Sequence, residues 1–237
     1  AEAFFRSSHL RSPGRIENSF ANEAFMDELV AAAKADPLEY RLRYMKDPRA
    51  IEAIQTAAKL ANWQARPGPN PSAGSGDVVK GRGIAYMRYN NTITYVAAVA
   101  EVEVTKSTGA IKVTRICRAH DCGEMVNPDG VANQVEGGIL QTVSRTLMEN
   151  VTWDRTKVTS VDWATYPISR FPDMPKVEIA LLDRPGAAAW GAGEPAPCAI
   201  PGAIANAVFD ATGVRLRSLP FTPDKVKTAL AAGPVRA

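Results

Sequence analysis

Glu194 sits in the run Trp190-Gly191-Ala192-Gly193-Glu194-Pro195, an acid on a glycine-flanked bend ahead of a long apolar stretch. Glycines let a ligand approach the backbone, and a helix start offers unpaired N–H groups and positive potential. A carboxylate held there can act as a general base, a role that contributes about 10²- to 10⁴-fold in rate. The competing reading is an acid that merely caps the helix or pairs with an arginine. A second constellation follows Pro128, where Val131, Val135, Ile139, Val143 and Leu147 form one helical stripe and Gln134, Gly138, Gln141 and Arg145 form another. Two stripes predict two neighbours. Gly137 and Gly138 inside a helix cost about 1 kcal/mol each against Ala, so something is expected to pack close, either a crossing helix or a planar ligand beside the amides of Gln134 and Gln141. Arg11, in Leu10-Arg11-Ser12-Pro13-Gly14-Arg15, reads on pattern alone as a salt-bridged surface residue.

Other motifs are weaker. His120, Asp121 and Cys122 lie together at a strand end, where alternation puts His120 and Cys122 on one face. The set fits a nucleophile-base pair or metal site less well than a packed, hydrogen-bonded turn. Three cysteines (Cys117, Cys122, Cys198) without a CxxC pair and two histidines (His9, His120) fit neither a disulfide scaffold nor a structural zinc site. There is no GxSxG elbow, and GSGDVVKGRG lacks the spacing of a phosphate loop or dinucleotide fingerprint. With 28 basic and 25 acidic residues the net charge is only +3, and no basic run interleaved with aromatics suggests nucleic acid.

The elements that must position these residues follow from periodicity. Residues 1–18 read as a loop. A helix over 22–35 is expected to bury Phe25, Leu29 and Ala32/Ala33, with two more helices opening at Asp36-Pro37 and Asp47-Pro48. The Pro/Gly/Ser-rich segment 66–79 is a linker, dividing residues 1–65 (loop plus helical unit) from 80–237. Beyond it come a strand over 93–104, a five-residue turn, a strand over 110–119, the two-striped helix from 128 to 148 and a buried strand over 177–182. A nearly all-apolar helix over 198–212, ending at Gly213, and a short last helix opening at Thr222-Pro223 complete an α+β class chain. No stretch approaches the roughly 20 apolar residues of a membrane span. The N-terminus reads as a cut end and not as a targeting segment.

The order LRSPGR, MDEL, HDCG, NP, NQVEGGILQ, GAGEP, AIANAVFDATG, LPFTP resembles the C-terminal part of the molybdopterin-binding large subunit of the xanthine dehydrogenase and aldehyde oxidoreductase family, the molybdenum hydroxylases. Within it the chain is most similar to large subunits of the nicotinate and isoquinoline dehydrogenase type. The resemblance implies the family's cofactor-binding fold, a mixed sheet with packed helices. It also implies molybdopterin, in its cytosine dinucleotide form, with molybdenum that takes no protein ligand. By motif position Glu194 becomes the general base in a water-derived oxidation of an N-heterocycle or aldehyde. Gly193, Gln134, Gly137, Gly138, Arg11 and Gly14 become cofactor-binding residues. The implied partners are the remaining N-terminal part of the large subunit, a small subunit with 2Fe-2S clusters, and a cytochrome or flavin subunit. A non-catalytic assembly subunit is the alternative. Pro13 stands where purine-oxidising members have a phenylalanine that stacks on the substrate, and the glycine-rich MGxG-type segment and the substrate-side arginine and glutamate have no counterpart in the 237 residues. The chain is therefore expected to be one portion of a large subunit. The cytoplasm is its favoured compartment and the periplasm the alternative.

Overall fold

The computed structural model describes residues 8–70 and 76–233. Its centre is a four-stranded mixed sheet in the order β1 (Val78–Tyr89), β2 (Thr94–Thr105), β3 (Ala110–Asp121), β4 (Lys176–Leu181). The first three strands run antiparallel and β4 joins β3 in parallel. Alternation divides the sheet's side chains between two layers. Ala85, Ala98, Ala100 and Ile116 face the helices α4 (Pro128–Leu147) and α5 (Ile200–Thr212). Ile84, Ala97, Val99, Cys117 and Ala119 face α3 (Pro48–Leu60), whose Ala50, Ala53, Ile54, Ala57 and Ala58 are buried there. α1 (Arg15–Ala32), α2 (Pro37–Tyr44) and α6 (Pro223–Ala232) complete the α+β fold.

Capping chemistry stands where the sequence predicts it. Asp36 Oδ1 accepts from the amides of Leu38 and Glu39 at 2.9 Å, and Asp47 Oδ1 accepts from that of Arg49 at 3.0 Å. α5 is buried almost all round and stops at Gly213, whose φ of 74° is the left-handed C-terminal geometry glycine favours.

Two expectations are corrected. α1 begins at Arg15, not near residue 22, and Phe25 and Leu29 are exposed (59% and 39%) while Phe20, Glu23, Asp27 and Val30 are buried. The acids are inward because their partners are there: Arg41 Nε lies 3.1 Å from Glu23, Arg215 Nη1 lies 2.7 Å from Asp27, and the Tyr86 amide donates to Glu23 Oε2 at 2.9 Å. Burial pushes both carboxyls up, which the facing guanidiniums oppose. The other correction is β1, which occupies a glycine-bearing stretch expected to begin as linker. Its glycines are there because α5 lies directly on them: a β-carbon at Gly83 would sit 2.3 Å from the Ala203 carbonyl oxygen, and one at Gly81 2.2 Å from that of Ala207. Arg66 and Asn70, just before, are tied to Asp210 at 2.6 Å and 2.8 Å.

Candidate active site

One end of the sheet carries the turn 192–199. Arg11 reaches it from the N-terminal segment, and its Nε donates to the Gly193 carbonyl at 2.6 Å. Its Nη2 donates to the Gln134 carbonyl and to Gln134 Oε1, both at 3.2 Å, and its Nη1 to Gln141 Oε1 at 3.4 Å. The expected surface ion pair is not formed among the described residues: the four bonds go to neutral oxygens. Burial lowers the Arg11 pKa, Arg145 lowers it further, and Glu194 opposes them. The polar stripe of α4 is thus the wall against which Arg11 and the turn are fastened. A β-carbon at Gly138 would meet Ala196 Cβ at 2.6 Å, so this glycine is required by the turn, whereas one at Gly137 would meet nothing within 4 Å. At Gly193 it would lie 3.2 Å from Gln134 Oε1. Gly14 adopts φ 65° as the N-cap of α1 and faces open space.

Glu194 is exposed at the crest of the turn. It does not cap α5, whose N-cap is Ala199, and no arginine lies within ion-pairing distance among the described residues. Instead its Oε2 accepts from the Tyr89 hydroxyl. Its carbonyl accepts from Ser12 Oγ and, at 3.6 Å, from Cys198 Sγ. Sequence reasoning missed Tyr89 together with the strand that ends on it.

Arg118 was missed as well. It is fully buried on β3, donates from Nη1 to the Cys198 carbonyl at 2.7 Å and from Nη2 to that of Pro195 at 2.8 Å, and pins the turn from below. Burial pulls its pKa down to about 10. His120, on the same face, has no partner for either ring nitrogen among the described residues, and burial followed by the Arg118 charge lowers it to about 3. A parity signal existed: Ile116, Arg118 and His120 alternate onto a core-facing row, where a charge is out of place. Asp121 faces the other way and is clamped by Arg49 (2.5 Å) and Arg184 (2.9 Å). Cys122 packs with Met125 and Ala192. The triplet is therefore divided between two faces and forms no nucleophile-base pair.

The site has hydrogen-bonding capacity left over. The Gln134 amide nitrogen has no acceptor among the described residues, and the side chain is exposed beside the bare α-carbon of Gly193. No cluster of three or more His, Cys, Asp or Glu side chains suited to a metal ion occurs among the described residues.

Residues 21–175 match the molybdopterin cofactor-binding domain family, a span that includes Tyr89, Gln134 and Gly138 but not Arg11 or Glu194. The chain is 43% identical over 231 residues to a subunit of nicotinate dehydrogenase from Pseudomonas putida, covering 95% of this chain and 20% of that one. It is 33% identical over 216 residues to the beta subunit of isoquinoline 1-oxidoreductase from Brevundimonas diminuta, covering 91% and 26%. It therefore spans a fifth to a quarter of the length of these curated relatives. Aldehyde oxidoreductase from Desulfovibrio gigas superposes with a TM-score of 0.78 over 95% of this chain and 42% of its own at 17% identity, a likeness of fold. Quinoline 2-oxidoreductase from Pseudomonas putida 86 gives 0.55 over 60% of this chain and 19% of its own at 32% identity. These matches agree with the motif order and the mixed sheet: the chain belongs to the molybdopterin cofactor-binding domain family, as a molybdopterin-binding part of a molybdenum-hydroxylase-family protein.

Proposed function

We propose that this chain contributes one wall of the active site of a molybdenum-dependent oxidoreductase that oxidises or hydroxylates an N-heterocycle or aldehyde with oxygen from water. The observation that carries the reading is the assembly of Arg11, Gln134, Gly193 and Glu194 at one turn, although the first and last are 183 residues apart in sequence. Gln134, through amide N–H groups that have no acceptor among the described residues, and Arg11, through the backbone it fastens, would hold the pterin. Gly193 keeps the approach clear. Gly14, Gly137 and Gly138 are assigned to the same wall, Gly138 by letting the turn seat against α4. When bound, molybdopterin supplies the redox centre at which oxygen is transferred. Glu194, exposed and with Oε1 unbonded among the described residues, would accept the proton released in that transfer.

The cytosine dinucleotide form of the cofactor, the remainder of the large subunit, a 2Fe-2S small subunit and a cytochrome or flavin subunit complete the proposal. The relatives are named as subunits, which supports a multichain assembly. No helix among the described residues is long and apolar enough to cross a membrane. In the complete enzyme, Glu194→Gln is expected to keep molybdenum and pterin at native content while turnover falls by at least about 10². Near-native turnover removes Glu194 from the base role. A complex purified from cofactor-competent cells with neither metal nor pterin favours the non-catalytic assembly role instead.

A further inference from the structure

We propose that Tyr89 is a positioning residue that holds the Glu194 carboxylate in its working orientation and keeps it off Arg11. The proposal rests on the reading of Glu194 as proton acceptor. Tyr89 is the last residue of β1, paired with Thr94 across a tight hairpin in which Asn90 and Asn91 take φ of 50° and 60°. Asn is among the few residues that tolerate this geometry, and a short turn holds the strand end to one register. The ring is buried with Val96 and Cys198, and the Arg15 guanidinium lies 5.7 Å from its centroid. The hydroxyl therefore projects from a strand end and reaches Glu194 Oε2. Burial, the hydrogen bond to Glu194 and its charge all push the phenol upward, so it stays a donor throughout the neutral range.

A glutamate side chain has three rotatable bonds, and an exposed one samples several rotamers unless something holds its end. Here the main chain of Glu194 is anchored by Ser12 and Cys198, and the carboxylate is anchored by Tyr89. Among the described residues no donor reaches Oε1. The guanidinium of Arg11 is close enough to feel Glu194 electrostatically, yet the two form no ion pair, because Arg11 is held on Gly193, Gln134 and Gln141. Without the phenol, the carboxylate keeps its electrostatic attraction to Arg11 with no hydrogen bond to oppose it. A base drawn into such a pair is turned from its target.

Tyr89→Phe in the complete enzyme removes one oxygen and leaves the ring and the Arg15 contact. The expected result is native molybdenum and pterin content and an unchanged melting temperature. Turnover should fall about 10- to 100-fold with KM altered less than about twofold, the scale of a misplaced catalytic group. Independently of turnover, the infrared carboxylate bands that disappear in Glu194→Gln should shift in Tyr89→Phe, reporting the lost hydrogen bond. If Glu194→Gln cripples the enzyme but Tyr89→Phe changes neither turnover nor those bands, the positioning role is overturned and the base survives. If Glu194→Gln is harmless, the base reading falls, and unshifted bands in Tyr89→Phe then overturn the positioning role separately.

Discussion

Arg118 and His120 are the residues whose chemistry departs furthest from their surroundings. A buried guanidinium without a carboxylate partner is costly, and its two bonds to the turn carbonyls are its compensation. On the proposed role of the turn, Arg118→Met is expected to lower turnover of the complete enzyme while leaving its melting temperature near native, since the apolar replacement fits the layer but frees the turn; a lowered melting temperature with native turnover contradicts this. His120 is neutral in the fold, with its pKa near 3 against an ordinary value near 6.5. Below pH 6.5 the unfolded chain takes up a proton that the native state refuses until about pH 3, so stability falls with falling pH across that window. The slope is at most about 1.4 kcal/mol per pH unit. His120→Leu should flatten this part of the stability profile, measured as urea midpoints at pH 7 and pH 5. A variant as acid-labile as the native protein would show that the imidazole finds a proton acceptor in the fold.

The two adjacent glycines of α4 have opposite relations to their neighbours. Gly137→Ala adds a methyl group into open space and should raise helix stability by up to about 1 kcal/mol. Gly138→Ala drives the same methyl into Ala196 and should cost about 1–3 kcal/mol while displacing the turn that bears Glu194. Melting temperatures of the two variants test the contrast, and cofactor content tests Gly137 separately: a stabilised Gly137→Ala variant that loses pterin would place the ligand against that glycine. The helix and its two stripes were legible from spacing alone, as were the Asp-Pro starts and the end of α5. β1 and the rotation of α1 were not. β1 is written in small residues because α5 presses on it, and the acids of α1 are buried because Arg41 and Arg215, distant in sequence, meet them.

Across the whole molecule, a groove of about 550 Å³ adjoins Gln141 and is lined by Leu140, Trp163, Tyr166, Ile168, Phe171 and Met174, with Trp163 67% and Phe171 97% exposed. Phe25 and Leu10 add exposed apolar surface elsewhere. Surface of this kind favours association. The polypeptide purified alone should self-associate or bind apolar dyes, and replacing Trp163 and Phe171 by lysine should reduce both; a monodisperse, dye-silent polypeptide would contradict the expectation. The sequence by itself determined the family, the α+β class and most element boundaries, and its motif order singled out Arg11, Gln134, Gly193 and Glu194 as candidates, because periodicity, caps and motif order are written locally. Tertiary structure alone decided that Arg11 spends its donors on carbonyl and amide oxygens, that Tyr89 rather than an arginine is hydrogen-bonded to Glu194, and that Arg118 lies under the turn. Each depends on a pairing between segments about 80 to more than 180 residues apart, and the partner of a polar group is set by packing, which no local pattern encodes.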